Sequence, residues 1–307
     1  MREYWPCIPC KRIINRINFR AFPLLSSPFP PHYCSMISLR AVARLSLSPP
    51  CRRLSSLSLP TNTTARSLSC SNTPRWIAPP KEITRRSPTG EVERYSLSFA
   101  VPSDQNDLVS FLLSDFVHTE SLNRGARLTE ENSVEILREA VNDGVQSQTS
   151  IVLRNHENKV VAARLSEFKD RDTRKAHDQS DDSHDNFSAK VLAAVAEHME
   201  EKAWSLLPSS TSRVTYVNVF SVAAEYGRRG FGTLMLEYGV ERIAEESGAH
   251  GVLATASSYM SQALFAKLGY RMLYELDYAK VVDPKTGKPM IDVQDGTNTA
   301  RLVYKQF

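Results

Sequence analysis

Residues 227–232 read Gly227-Arg228-Arg229-Gly230-Phe231-Gly232, three glycines and two adjacent arginines in six positions. What such a stretch can do depends on where it sits. Before it, 214–222 (VTYVNVFSV) is β-branched and aromatic with partial alternation, the pattern of a strand. After it, Phe231, Leu234, Met235, Tyr238, Ile243 and Ala244 recur at helical spacing, and Gly248 supplies a stop. The glycines therefore fall in the first turn of a predicted helix that runs on to Gly248. Backbone N–H groups there lack internal partners, and the helix dipole favours an anion. Arg228 and Arg229 add charge suited to phosphate oxygens. The plainer reading is a tight strand-to-helix turn with two surface arginines. A dinucleotide site would want an acidic residue at the end of the next strand, but 251–257 (GVLATAS) ends in Thr and Ser.

Metal chemistry finds less support. His177 and His184 stand among aspartates in 169–186, a nearly all-polar stretch that reads as a solvated loop. Cys7 and Cys10 make one CxxC without a second pair, which favours unstructured sequence over zinc. No metal site is expected.

The elements that must hold the turn can be read along the body of the chain. Strands are predicted over 94–103, 150–155, 159–168, 214–222, 251–257, 270–282 and 300–307. Helices are predicted over 103–117, 129–144, 187–204, from 231 to Gly248, and 258–270. This alternation implies an α/β fold, a single domain with a mixed sheet of about seven strands and flanking helices.

The first 80 residues belong to another class. They carry eleven Lys or Arg and a single acid, Glu3, leaving 27 basic and 33 acidic residues in 81–307, a net charge of −6. The overall +4 is thus a property of the leader and says nothing about nucleic-acid binding by the body, for which no nucleic-acid partner is expected. All five cysteines lie in the first 70 residues, which excludes a disulfide-stapled fold for the rest. From Met36, an alternative start, the sequence is Arg- and Ser-rich with no acid before Glu82, the composition of a transit peptide. A mitochondrial destination is expected for 1–80 as a disordered leader, with a cytoplasmic protein as the alternative. No apolar run reaches membrane-helix length, so no membrane partner is expected.

The order of elements over roughly 93–307 resembles the GCN5-related N-acetyltransferase (GNAT) family. Its Gly-rich turn reads [Q/R]-x-x-G-x-[G/A] and binds the pyrophosphate of acetyl-CoA, while the backbone of the preceding strand holds the pantetheine arm. The resemblance implies acetyl-CoA as co-substrate. It assigns the holding of that molecule to the backbone of Val219, Phe220, Ser221 and Val222 and to Gly227, Arg228, Arg229, Gly230, Phe231 and Gly232. Gly227 stands where the family has Gln or Arg, which removes one side chain from the turn and leaves the N–H array. The segment 263–270 (ALFAKLGY) is similar to the family's helix ending in [FY]-x-x-L-G-[FY].

A closer likeness lies at 116–123 (FVHTESLN), similar to the F-x-x-x-E-P-L-N segment of insect-type arylalkylamine N-acetyltransferases, with Ser121 in place of Pro. In that group the Glu is the catalytic base, which implies Glu120. Its two serines four apart correspond to Ser257 and Ser261. An alkylammonium must lose a proton before it attacks a thioester, the oxyanion needs donors, and the departing thiolate needs a proton. N–H groups of 219–222 are the candidate oxyanion donors. Many GNAT enzymes protonate the thiolate from a Tyr at the position of Phe265, leaving Ser261, Tyr259 or solvent here. His118 is a rival base, and Ser257 and Ser258 are also good helix caps. The expected activity is direct acetyl transfer to a primary amine of arylalkylamine type. No cysteine follows residue 70 to carry a covalent intermediate. The alternatives are a protein or polyamine N-acetyltransferase and a non-catalytic acyl-CoA-binding module. A small-molecule amine is the expected partner, and a monomer or homodimer the expected assembly.

Overall fold

The computed structural model describes residues 18–19, 74–87, 89–173, 187–283 and 285–307. The Cys7–Cys10 pair, Met36, most of the leader, and His177 and His184 lie outside these residues. β1 (Asn18–Phe19) pairs antiparallel with β9 (Val281–Val282). The remaining strands form one eight-stranded sheet. They are β2 (Lys81–Arg86), β3 (Val92–Phe99), β4 (Ile151–Asn155), β5 (Val160–Asp170), β6 (Arg213–Val222), β7 (Gly251–Ala256), β8 (Arg271–Asp277) and β10 (Thr299–Gln306). Their order is β2-β3-β4-β5-β6-β7-β10-β8, antiparallel except for the parallel β6–β7 pair. The fold is the mixed α/β sheet expected from the sequence, with eight strands rather than about seven. The additional strand, β2, begins before residue 93. It buries only Ile83, so pairing with β3 forms it, not a hydrophobic pattern of its own.

The helices are α1 (Gln105–Phe111), α2 (Val117–Thr119), α3 (Ser121–Gly125), α4 (Glu130–Gln146), α5 (Phe187–Leu206), α6 (Phe231–Glu237), α7 (Val240–Ser247) and α8 (Tyr259–Lys267), with a π-helical turn at Leu112–Phe116. α1, the π turn and α4 bring Leu108, Leu112, Leu137 and Val141 onto one sheet face, against Val152, Leu165 and Val219. α5 covers the same face further along, with Val195 and Met199 on Leu253 and Leu302. The other face takes Phe231, Met235 and Ile243 of α6 and α7 against Leu97, Leu153 and Ala162. It also takes Phe265 of α8 against Val217, Ala254 and Val303. Neighbouring residues such as Val152 and Leu153 divide between the two faces, as strand periodicity requires. Among the described residues no helix is long and apolar enough to cross a membrane.

Two irregularities shape the centre of the molecule. β6 pairs with β7 only at Thr215–Val252, Tyr216–Leu253 and Val217–Ala254, while its pairing with β5 continues to Val222. From Asn218 onward the β7-facing edge of β6 is therefore open, and the sheet splits into a wedge. At the same place the β5–β6 register slips, with Leu165 opposite Val219 and Ser166 opposite Val217. Asn218 is the extra residue of a bulge. It reverses which side chains face the helices: Tyr216 before it and Val219 after it face the same side.

The helix expected to continue from 231 to Gly248 is instead two helices. Tyr238 is extended and Gly239 has φ +74°, and a Cβ on Gly239 would come within 3.2 Å of the Phe99 ring. The break frees carbonyls that Arg164 of β5 takes up. Its Nη1 donates to Met235 O at 2.8 Å and Tyr238 O at 3.1 Å, and its Nη2 to Thr149 O at 3.1 Å. The side chain is fully buried, and desolvation lowers its pKa to about 10. A cation at a helix C-terminus is favoured by the dipole. Gly239 is the local sign of the break, but Arg164, which satisfies the freed carbonyls, lies in a strand some seventy positions earlier.

Candidate active site

The Gly-rich turn stands at the open end of the wedge. A 3₁₀ turn (Ala224–Tyr226) leads to Gly227, then Arg228 at φ +61° and Gly230 at φ +78°, which caps α6. Left-handed backbone at Gly230 costs little without a Cβ, and a Cβ built there would meet nothing within 4 Å. The first helical amide with an intrahelical acceptor is Leu234, whose N–H donates to Gly230 O at 3.1 Å. The N–H groups from Arg228 to Thr233 find no acceptor among the described residues. Donors at a helix start, an αL backbone and an open approach form an anion cradle that fits a diphosphate.

Not every residue of the turn serves it. Phe231 is buried against Tyr95, with ring centroids 4.7 Å apart, so only its N–H faces outward. Gly232 is small for packing: a Cβ there would lie 2.8 Å from Leu264 Cδ2 of α8. Arg229 corrects the sequence expectation. Its guanidinium pairs with Glu93, donates to Tyr95 Oη at 2.8 Å and Glu225 O at 3.2 Å, and lies 4.9 Å over the Tyr226 ring. It braces the turn against β3 and is not free for phosphate. Arg228 is exposed. Of the β6 residues, Ser221 turns its hydroxyl to Asp115 Oδ2 at 3.2 Å, Val219 is buried in the helical layer, and Phe220 faces the cavity described below. Val222 packs on the opposite sheet face. Apart from the Phe220 ring, any grip on a ligand by 219–222 is thus through the open backbone edge, which no side-chain pattern announces.

Glu120 and Ser257 meet within the wedge. α2 ends at Thr119, Glu120 is extended, and its carboxylate caps α3 by accepting from Asn123 N at 2.6 Å. The other oxygen accepts from Ser257 Oγ at 2.7 Å. Burial raises the Glu120 pKa above the ordinary carboxylate value; the bonds from Ser257 and Asn123 oppose this, and the nearby charge of Asp295 adds to it. His118, the rival base, points elsewhere, holding Glu130 Oε1 at 2.7 Å on the exposed surface. Ser258 is the helix cap, in a reciprocal box with Ser261: each residue's amide donates to the other's hydroxyl at 3.2 Å. That leaves Ser257 free for Glu120.

A cavity of about 60 Å³ is lined by Glu120, Ser257, Ser258, Ser261, Phe116, Val217, Asn218, Phe220, Thr255 and Phe265, among others. The structure thus brings Glu120, Ser257 and Ser261 to one cavity and places the Gly-rich turn outside it. Sequence reasoning missed Asn218, which the bulge delivers, and did not foresee that Phe116, the first residue of the 116–123 likeness, lines the cavity. It also missed Tyr278, whose Oη donates to Ser257 O at 2.8 Å, and Asp115, which accepts from Ala224 N at 3.3 Å. A π turn after 111 breaks helical periodicity, the one local signal that could have marked Asp115.

Residues 185–270, which include the turn, the wedge and α8, match the model of the acetyltransferase (GNAT) family. The chain carries a GNAT domain. The GNAT domain is that of an acetyl-CoA-dependent N-acetyltransferase, with acetyl-CoA as co-substrate, and the open turn at Gly230 fits its diphosphate. No curated protein matches the chain in sequence. Among solved structures, the fold is similar to arylalkylamine N-acetyltransferase 2 of Aedes aegypti, at 15% identity and TM-score 0.60, covering 69% of this chain and 98% of that one. It is also similar to polyamine N-acetyltransferase of Drosophila melanogaster, at 19% identity and TM-score 0.56, covering 69% and 100%. A putative arylalkylamine N-acetyltransferase 7 of Aedes aegypti gives 13% and 0.61, covering 75% and 96%.

Proposed function

We propose that the protein moves acetyl directly from acetyl-CoA to a primary amine of arylalkylamine type, with Glu120 as the general base. The observation that carries this reading is the enclosed Glu120 carboxylate, bonded to Ser257 and opening onto the wedge cavity. A carboxylate with a raised pKa is matched to removing a proton from an ammonium near neutral pH. Glu120 takes one proton from the alkylammonium. The neutral nitrogen attacks the thioester carbonyl carbon, and backbone N–H groups on the open edge of β6 stabilise the oxyanion. The C–S bond breaks, and the second nitrogen proton ends on the departing sulfur. Ser261 lines the cavity where Phe265 offers no hydroxyl, which supports Ser261 or solvent as the relay. The proton on Glu120 then returns to solvent.

The ring-lined cavity supports a small aromatic or apolar amine; of the fold neighbours, one is an arylalkylamine and another a polyamine N-acetyltransferase. The test is CoA release by the purified chain with arylalkylamines, polyamines and peptides. Turnover with arylalkylamines at the lowest KM is expected. Turnover only with polyamines or peptides would move the substrate class, and acetyl-CoA binding without turnover would make the protein a binding module. We further propose a mitochondrial destination, on the composition of 1–80.

A further inference from the structure

We propose that Thr297, on the segment joining β9 to β10, is a positioning residue that holds the two halves of the Glu120–Ser257 pair in register. The proposal rests on the reading of Glu120 as base. Four hydrogen bonds carry it. Tyr259 N donates to Thr297 Oγ1 at 3.0 Å, Thr297 Oγ1 donates to Ser121 Oγ at 3.3 Å, Ser121 Oγ donates to Asp295 Oδ2 at 2.6 Å, and Thr297 N donates to Asp295 Oδ1 at 2.9 Å. Each hydroxyl has one proton to give, so the chain has a single direction, from the amide of Tyr259 to the carboxylate of Asp295. Ser121 follows Glu120, and Tyr259 lies two residues after Ser257. One buried threonine hydroxyl therefore spans the segments that deliver the carboxylate and its serine.

Both segments are short or irregular. α3 has five residues, and Ser257 lies between the end of β7 and the start of α8. The segment that bears Thr297 is itself pinned to α3. Asp292 N donates to Gly125 O at 3.0 Å, and a Cβ on Gly125 would lie 2.6 Å from Val293 Cγ2. Thr297 and Ser121 are 3% and 2% exposed, so water cannot readily replace either hydroxyl. A base displaced by a fraction of an ångström loses its reach to the ammonium proton, while the distant Gly-rich turn is unaffected.

Thr297→Val keeps the shape and removes the hydroxyl. In the full chain it should lower kcat about 10-fold with unchanged acetyl-CoA affinity, and Thr297→Ser should restore most of the rate. Combined with Glu120→Gln it should cost nothing further, because the base it positions is already gone. A Thr297→Val enzyme with wild-type kcat overturns the proposal. So does a loss that multiplies with Glu120→Gln, or a Thr297→Ser enzyme as slow as Thr297→Val. Should Thr297→Val fail to fold, Ser121→Ala cuts the same chain and is held to the same outcomes. A wild-type chain that binds acetyl-CoA but acetylates no amine overturns this proposal together with the functional reading. An active wild type with an unimpaired Thr297→Val overturns this proposal alone.

Discussion

Ser257 Oγ donates to Glu120 Oε1 at 2.7 Å across 137 positions of sequence. The bond joins the loop before α3 to the end of β7, on the cavity side of the wedge. It gives the carboxylate an acceptor role while burial pushes it toward protonation.

Glu120→Gln preserves shape and removes proton affinity. Turnover should fall by ~10²–10⁴, with acetyl-CoA binding intact. The deficit should narrow as pH rises and the amine deprotonates unaided. His118→Gln, whose partner is Glu130 on the surface, should stay near wild type. A dead histidine variant would reverse the assignment.

The same substitution has a pH signature in stability. The Glu120 pKa is raised in the folded state, so between the ordinary carboxylate value and the raised value the native protein binds more protons than the unfolded chain. Stability contributed by this residue is present at low pH and lost as pH climbs through the folded pKa. Gln stays neutral, so the melting temperature of Glu120→Gln relative to wild type should increase across that window. A difference that shrinks with pH would mean that the carboxylate is better stabilised in place than in water.

Gly230 tests the anion cradle. Asp and Asn both tolerate left-handed backbone, so Gly230→Asn reports the backbone cost and Gly230→Asp adds the charge. Calorimetry should show acetyl-CoA affinity far weaker for the Asp variant than for the Asn variant, at similar melting temperatures. Equal affinities would place the diphosphate elsewhere.

The two arginines should separate by readout. Arg228→Gln should weaken acetyl-CoA binding at low salt and little at high salt, as an exposed charge does. Arg229→Gln should instead lower the unfolding midpoint, because it leaves Glu93 and Tyr95 without their cation. The opposite pattern would return Arg229 to the phosphate site.

Residues 36–80 fused to a fluorescent reporter should accumulate in mitochondria. Diffuse cytosolic signal from both the Met1 and Met36 starts would refute the targeting proposal.

Local pattern was enough for the sheet-and-helix alternation, the Gly-rich turn and the split in charge, because strand period, helix period and αL glycines are properties of neighbouring residues. The Glu120 assignment came from a short likeness, and nothing in 116–123 itself distinguishes that carboxylate from His118. Tertiary structure decided the rest. It turned His118 to the surface, committed Arg229 to Glu93, broke the 231–247 helix over Arg164, and opened the β6 edge by ending its pairing with β7 at Val217. Each of these depends on a partner some ten to more than a hundred positions away. A buried polar group must find its partner wherever the fold supplies one, and sequence spacing does not record where that is.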